Sequence, residues 1–105
     1  MSDLKLDIKV CSYRTPQRYV LLRMVWAALA ALHRRYGDVQ FTVEEVCKVE
    51  EILRYTPVLV SASLVIQQRL VCTGRVPGKE EVAAWLEEAI LQERANSQAS
   101  AIMLQ

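Results

Sequence analysis

The sequence has few of the residues that usually build a metal or redox centre. Its three cysteines, Cys11, Cys47 and Cys72, lie far apart, so there is no CxxC pair to bind zinc or to form a redox dithiol. The sole histidine, His33, has no acid, serine or cysteine beside it in its predicted helix, which leaves a catalytic triad without local support. We expect no metal and no cofactor, and the thiols are most simply interpreted as reduced and mostly buried.

An excess of charge of one sign and long apolar runs are missing as well. Thirteen Lys and Arg residues against twelve Asp and Glu leave a formal charge of +1, which argues against a nucleic-acid-binding protein. The longest apolar run, residues 24–32, is far shorter than the ~20 residues that span a bilayer. The first ten residues alternate charged and apolar side chains, unlike a signal peptide. We therefore expect a soluble, cytoplasmic protein that does not associate with membranes.

The 105 residues are enough for one domain. We assign it to residues 1–94 and expect 95–105 to form a flexible C-terminal tail. Apolar spacing predicts strands and helices in the order β-α-β-α-β-β-α. The predicted elements are strand 4–10, helix 16–36, strand 39–43, helix 44–55, strand 57–66, strand 70–72 and a last helix from residue 79. Since strands separated by helices need crossovers and the last two strands form a hairpin, the predicted fold class is α/β, with a mixed four-stranded sheet flanked by helices.

The C-terminal third carries a more specific pattern. Residues 64–81, LVIQQRLVCTGRVPGKEE, indicate a strand, a short turn, a second strand, a Gly-Arg-x-Pro turn and a helix with an acidic first turn. With the element order, this pattern resembles small archaeal and bacterial thioredoxin-like proteins. The resemblance covers about residues 4–92 in element order and 64–91 in residue detail, and it implies a thioredoxin-like fold.

The sequence departs from that family at both of its redox features. Where the family has CxxC, between the first strand and the first helix, this chain has Thr15, Pro16, Gln17 and Arg18. The cis-proline that faces the dithiol is replaced by Ala62 in an ungapped alignment, whereas Pro57 would require an insertion in the hairpin. Because disulfide exchange needs two sulfurs within bonding reach, the resemblance implies a fold without disulfide reductase activity.

Two alternatives remain open at this point. Cys11 lies next to the vacant active-site turn, and Arg14 and Arg18 would lower its pKa, so the protein could be a single-cysteine thiol oxidoreductase or a redox sensor. The KaiB clock proteins also have a thioredoxin-like relative without CxxC, and residues 14–16 and 56–57 resemble their pattern. That resemblance implies a regulatory protein that binds a larger partner.

The predicted first helix is the most unusual segment. From residue 19 to residue 32 only Arg23 interrupts an apolar sequence, so the helix is hydrophobic nearly all round. A helix that packs on a sheet needs one apolar stripe, and the surplus predicts a protein interface. We expect association with a second copy or another protein, and no small-molecule ligand is evident. The candidate interface residues are Tyr19, Leu22, Met24, Val25 and Trp26.

Overall fold

A computed structural model describes residues 4–57, 59 and 62–103. Seven elements follow each other in the predicted order, and the chain is α/β with a mixed four-stranded sheet and three helices. The elements are β1 (Leu4–Cys11), α1 (Thr15–His33), β2 (Val39–Val46), α2 (Val49–Ile52), β3 (Ser63–Ile66), β4 (Arg69–Thr73) and α3 (Lys79–Met103).

The strands lie in the order β2-β1-β3-β4. Strand β1 is parallel to β2, as the α1 crossover requires, and antiparallel to β3, which pairs antiparallel with β4. The registers place Cys11 opposite both Val46 and Ser63, and Ser63 opposite Thr73. These four residues form one row across the sheet, at its boundary with the connecting loops.

The two faces of the sheet are covered unequally. Leu6, Ile8 and Val10 point to the face that α1 and α3 cover, because side chains alternate along a strand. The helices complete this main core with Leu21, Val25, Ala28, Leu29 and Leu32 from α1 and with Val82, Leu86 and Ile90 from α3. On the opposite face, the short helix α2 covers only a small cluster of Cys11, Val46, Val65 and Ile52.

The prediction of a helix over residues 44–55 is wrong at its start and its end. Residues 44–46 continue strand β2, and α2 is one turn, Val49–Ile52. In the ladder Glu44 lies opposite Lys9, and its carboxylate approaches the Lys9 ammonium at 3.3 Å. Pairing with β1 and burial of Val46 therefore outweigh the helical spacing of the segment.

Two other predicted boundaries also move. Strand β3 is limited to Ser63–Ile66, all buried, so residues 57, 59 and 62 lie outside it, while 58, 60 and 61 are outside the described residues. Helix α3 continues to Met103, so residues 95–103 of the expected tail are helical. No glycine or proline follows Gly78, and alanine is frequent in the segment, so nothing in the sequence ends the helix earlier.

Candidate functional site

The row formed by Cys11, Val46, Ser63 and Thr73 brings four chain segments to one edge of the sheet. We call this boundary the loop edge. The segments that leave it are the β1–α1 connection, residue 47 after β2, residue 62 before β3 and residues 74–78 after β4. The Thr15–Arg18 turn and Ala62 therefore both follow or precede residues of the loop edge.

Arg18 holds the β1–α1 connection against β2. Its guanidinium donates to the Ser12 carbonyl oxygen (3.1 Å) and to Glu45 Oε1 (2.9 Å). The Ser12 amide donates to the Val46 carbonyl oxygen (3.0 Å), and the buried Ser12 hydroxyl accepts from the Arg14 amide (3.1 Å). The Arg18 side chain is thus part of a hydrogen-bond network that links the β1–α1 connection to β2.

The rest of the turn offers no nucleophilic sulfur. Thr15 and Pro16 are exposed, and Gln17 is half-buried with an Oε1 atom that has no hydrogen-bond partner. Across the loop edge, Ala62 is buried directly before Ser63, and all described peptide bonds are trans. Pro57 is exposed and lies well before β3. Of these two residues, Ala62 is therefore the one next to the loop edge.

The geometry does not favour Cys11 as a reactive thiol. Its side chain has no exposed surface, and burial raises its pKa to about 11, although the Lys9 ammonium lowers it. Neither Arg14 nor Arg18 is among the groups that shift it, contrary to the expectation from sequence. A thiol with this pKa stays protonated at neutral pH and is a poor nucleophile.

The other two cysteines differ in their exposure. Cys47 is exposed, and Cys72 is half-buried with a pKa that burial raises. Within the described residues, no group of three His, Cys, Asp or Glu side chains could hold a metal ion. His33 lies exposed at the end of α1.

The interface candidates on α1 separate into exposed and buried residues. Tyr19 and Trp26 are each 55% exposed, and Leu22 and Met24 are half-buried. Val25 is fully buried on the stripe that packs against the sheet, so it does not contribute to an exposed surface. The helix therefore has one core stripe, as packing on a sheet requires, and a second apolar face beside it.

This second face lies on the β2 side of α1. One shallow cavity of about 450 Å³ is bounded by Trp26 and His33 of α1 and by Val39 and Phe41 of β2. A second, of about 230 Å³, lies among Tyr19, Leu22, Arg23 and Trp26. We call Tyr19, Leu22, Trp26 and Phe41 the flank surface.

Helix α3 packs along the other side of α1 and leaves the flank surface uncovered. Glu87 of α3 accepts a hydrogen bond from the Tyr36 hydroxyl (2.6 Å) just after α1, and Arg35 approaches the same carboxylate at 3.3 Å. Sequence reasoning found the helical half of the flank surface and missed Phe41. The strand order, which makes β2 an edge strand, was the missing information.

Comparisons with known proteins add no further assignment. No family model, curated protein or solved structure matches this chain. Among the described helices, none is both long and apolar enough to cross a membrane.

Proposed function

We propose that this protein is a redox-inactive module of the thioredoxin fold that works by association with a second copy through the flank surface. The order of strands and helices supports the fold, since it matches the order on which the resemblance rests. The loop edge supports it too, because Ser63, which follows Ala62, pairs with Cys11 at the end of β1, just before the Thr15–Arg18 turn.

Redox inactivity is supported by the chemistry of the loop edge. Thr15 and Arg18 supply no sulfur, and Arg18 is engaged with Ser12 and Glu45. Cys11, at the end of β1, is buried and protonated at neutral pH, so it lacks the accessible thiolate that a mixed disulfide needs. The exposed Cys47 after β2 has no CxxC partner, so it does not form the two-sulfur site that dithiol exchange needs.

The exposure of Trp26 is the observation that carries the association. A tryptophan that is 55% exposed, with Tyr19 equally exposed about two helical turns away, presents aromatic surface of the kind that interfaces bury. The two cavities beside Trp26 make this surface concave in places, and a partner side chain can fill them. Aromatic residues in such positions commonly carry most of the binding energy of an interface.

The edge of the sheet favours a second copy as the partner. Glu44 and Glu45 of β2 are ion-paired with Lys9 and Arg18, and Asp38 just before the strand is ion-paired with Arg94. The carboxylates at both ends of β2 are therefore neutralised within one chain, so two copies related by a two-fold axis meet without strong like-charge repulsion. Because β2 is an edge strand beside the flank surface, it offers the same unpaired backbone groups to the same strand of a second copy.

Light scattering on matched variants tests the proposal. Trp26→Glu places a charge in the flank surface, whereas Leu91→Glu places one on α3 at a residue of the same 55% exposure. At tens of micromolar we expect the wild type and Leu91→Glu to be dimers and Trp26→Glu to be a monomer with an unchanged circular dichroism spectrum.

Three results would count against parts of this proposal. A dimeric Trp26→Glu protein would place the interface elsewhere, and a monomeric wild type would refute self-association. In the second case a larger partner, as the resemblance to KaiB implies, becomes the favoured reading. Rapid alkylation of Cys11 in the folded protein would refute redox inactivity.

A further inference from the structure

The two outer strands of the sheet differ in how well they are protected. Strand β4 has five residues, and the register of its pairing with β3 shifts between Leu64 and Val65. Strand β2 has eight residues, contains no proline or lysine, and pairs with β1 in continuous register. Short length, bulges, proline and charged side chains are the usual devices that block edge pairing. The charged residues of β2, Glu44 and Glu45, are both ion-paired within the chain, so β2 is the less protected edge.

The hydrogen-bond pattern shows which groups of β2 face outward. The Val46 carbonyl oxygen accepts from the Ser12 amide, so the backbone of Val46 points toward β1. Because backbone groups alternate along a strand, Gln40, Thr42 and Glu44 also point toward β1. The backbone groups of Phe41, Val43 and Glu45 then face the open edge, as does the Val39 carbonyl, while the Val39 amide donates to Tyr36.

We infer that two copies pair antiparallel through β2, with Thr42 on the two-fold axis, so that two four-stranded sheets become one continuous sheet. This inference rests on the proposed self-association and specifies its geometry. The observation behind it is the edge strand β2 lying beside the exposed aromatic side chains of α1.

The register follows from the side chains of β2. With Thr42 on the axis, Phe41 lies opposite the partner's Val43, Thr42 opposite the partner's Thr42, and Gln40 opposite the partner's Glu44. Aromatic with β-branched pairs and threonine pairs both stabilise antiparallel strands. This register also places the outward-facing backbone groups of Phe41 and Val43 opposite each other.

Neighbouring registers are less favourable. An axis at Phe41 pairs only residues 39–43 of β2, whereas an axis at Thr42 pairs residues 39–45. An axis at Val43 pairs residues 40–46, an overlap of the same length, but sets Phe41 opposite the partner's Glu45 in place of Val43. An axis between two residues would set outward-facing backbone groups against inward-facing ones, which leaves them unpaired.

The same pairing covers the flank surface. Phe41 and Val43 lie opposite Leu6 and Ile8 of β1, so they point to the face of the sheet that carries α1. Joining the β2 strands therefore brings the two α1 helices toward each other on that face, with Trp26 of each copy in between. Asp38, at the other end of the strand, is neutralised by Arg94 at 3.0 Å and does not repel the partner's acidic residues.

Disulfide trapping tests the register. In a chain with the exposed Cys47 replaced by serine, Thr42→Cys sets two thiols across a non-hydrogen-bonded pair, about 4.5 Å apart between Cα atoms, within the roughly 4.4–6.8 Å that disulfides bridge. Gln40→Cys is the control, because it is also exposed but lies about 13 Å from its symmetry mate at ~3.3 Å per residue. We expect oxidation to give a covalent dimer with Thr42→Cys and to leave Gln40→Cys largely monomeric on a non-reducing gel.

A second pair of variants tests the backbone pairing without a new thiol. Val43→Pro removes an amide that faces the open edge, which an edge strand tolerates, whereas Val43→Ala shortens the side chain and keeps the amide. We expect Val43→Pro to be monomeric by light scattering and Val43→Ala to remain dimeric. If the wild type is dimeric but Thr42→Cys cross-links no better than Gln40→Cys, this pairing is wrong and self-association stands. A monomeric wild type overturns both.

Discussion

By the resemblance to thioredoxin-like proteins, Arg18 aligns with the second cysteine of CxxC. Its side chain makes structural hydrogen bonds instead of redox chemistry. The guanidinium ties the Ser12 carbonyl of the β1–α1 connection to Glu45 of β2. The Arg18 side chain is only 13% exposed, although Glu45 is 42% exposed. Solvent and salt therefore weaken this ion pair less than they weaken a pair in which both side chains are exposed. At the scale of single residues, the loop edge is thus organised for rigidity.

The buried Cys11 thiol makes the free energy of unfolding decrease as the pH rises above the thiol's usual pKa. Its pKa is raised to about 11 by burial, while in the unfolded chain the thiol ionises near its usual value. The contribution to stability is therefore present below about pH 9 and is lost as pH rises toward 11, by on the order of 2 kcal/mol. Urea unfolding of the wild type from about pH 8 to pH 11 should show this loss.

The matched variants for this measurement are Cys11→Ala and Cys47→Ala. The first removes the buried thiol and should flatten this part of the pH profile, although its stability at neutral pH is lower. The second removes an exposed thiol and should retain the wild-type slope. Equal slopes in all three proteins would show that the Cys11 thiol is accessible to solvent.

At the scale of elements, helix α1 has two apolar faces, one buried against the sheet and one exposed. Leu21 is fully buried on the core stripe, whereas its neighbour Val20 is 45% exposed. Leu21→Ala should lower the free energy of unfolding by about 2–5 kcal/mol because it leaves a cavity, and Val20→Ala should change it by no more than about 0.5 kcal/mol. Chemical denaturation of both variants checks this, and similar losses would show that the helix is packed on both sides.

Element type was predictable from the sequence, and several element boundaries were not. Alternation at Leu4–Cys11 and the long apolar helix identified β1 and α1, because periodicity directly reflects burial. The end of β2 depends on Lys9 of another strand, which pairs with Glu44. A contact between distant segments cannot be read from local spacing.

The candidate site was predicted in part for the same reason. Tyr19, Leu22 and Trp26 were recognisable because the helix has more apolar residues than one stripe needs. Val25 was included wrongly, since only the packing direction of the helix assigns it to the core. Phe41 was missed because its place beside Trp26 follows from the strand order.

At the scale of the whole molecule, the sheet places the loop edge and the flank surface in different regions. The loop edge lies at the ends of the strands, and the flank surface lies along the side of α1 and β2. Association through the flank surface therefore leaves the Thr15–Arg18 turn uncovered. Under the proposed function, the α/β architecture serves as a scaffold for a helix and an edge strand.

The molar mass of the wild-type protein in solution tests the central claim most directly. Light scattering over a dilution series should give twice the 12.0 kDa of one chain at tens of micromolar, and the mass should fall toward one chain on dilution. A mass of one chain across the whole series would contradict the account.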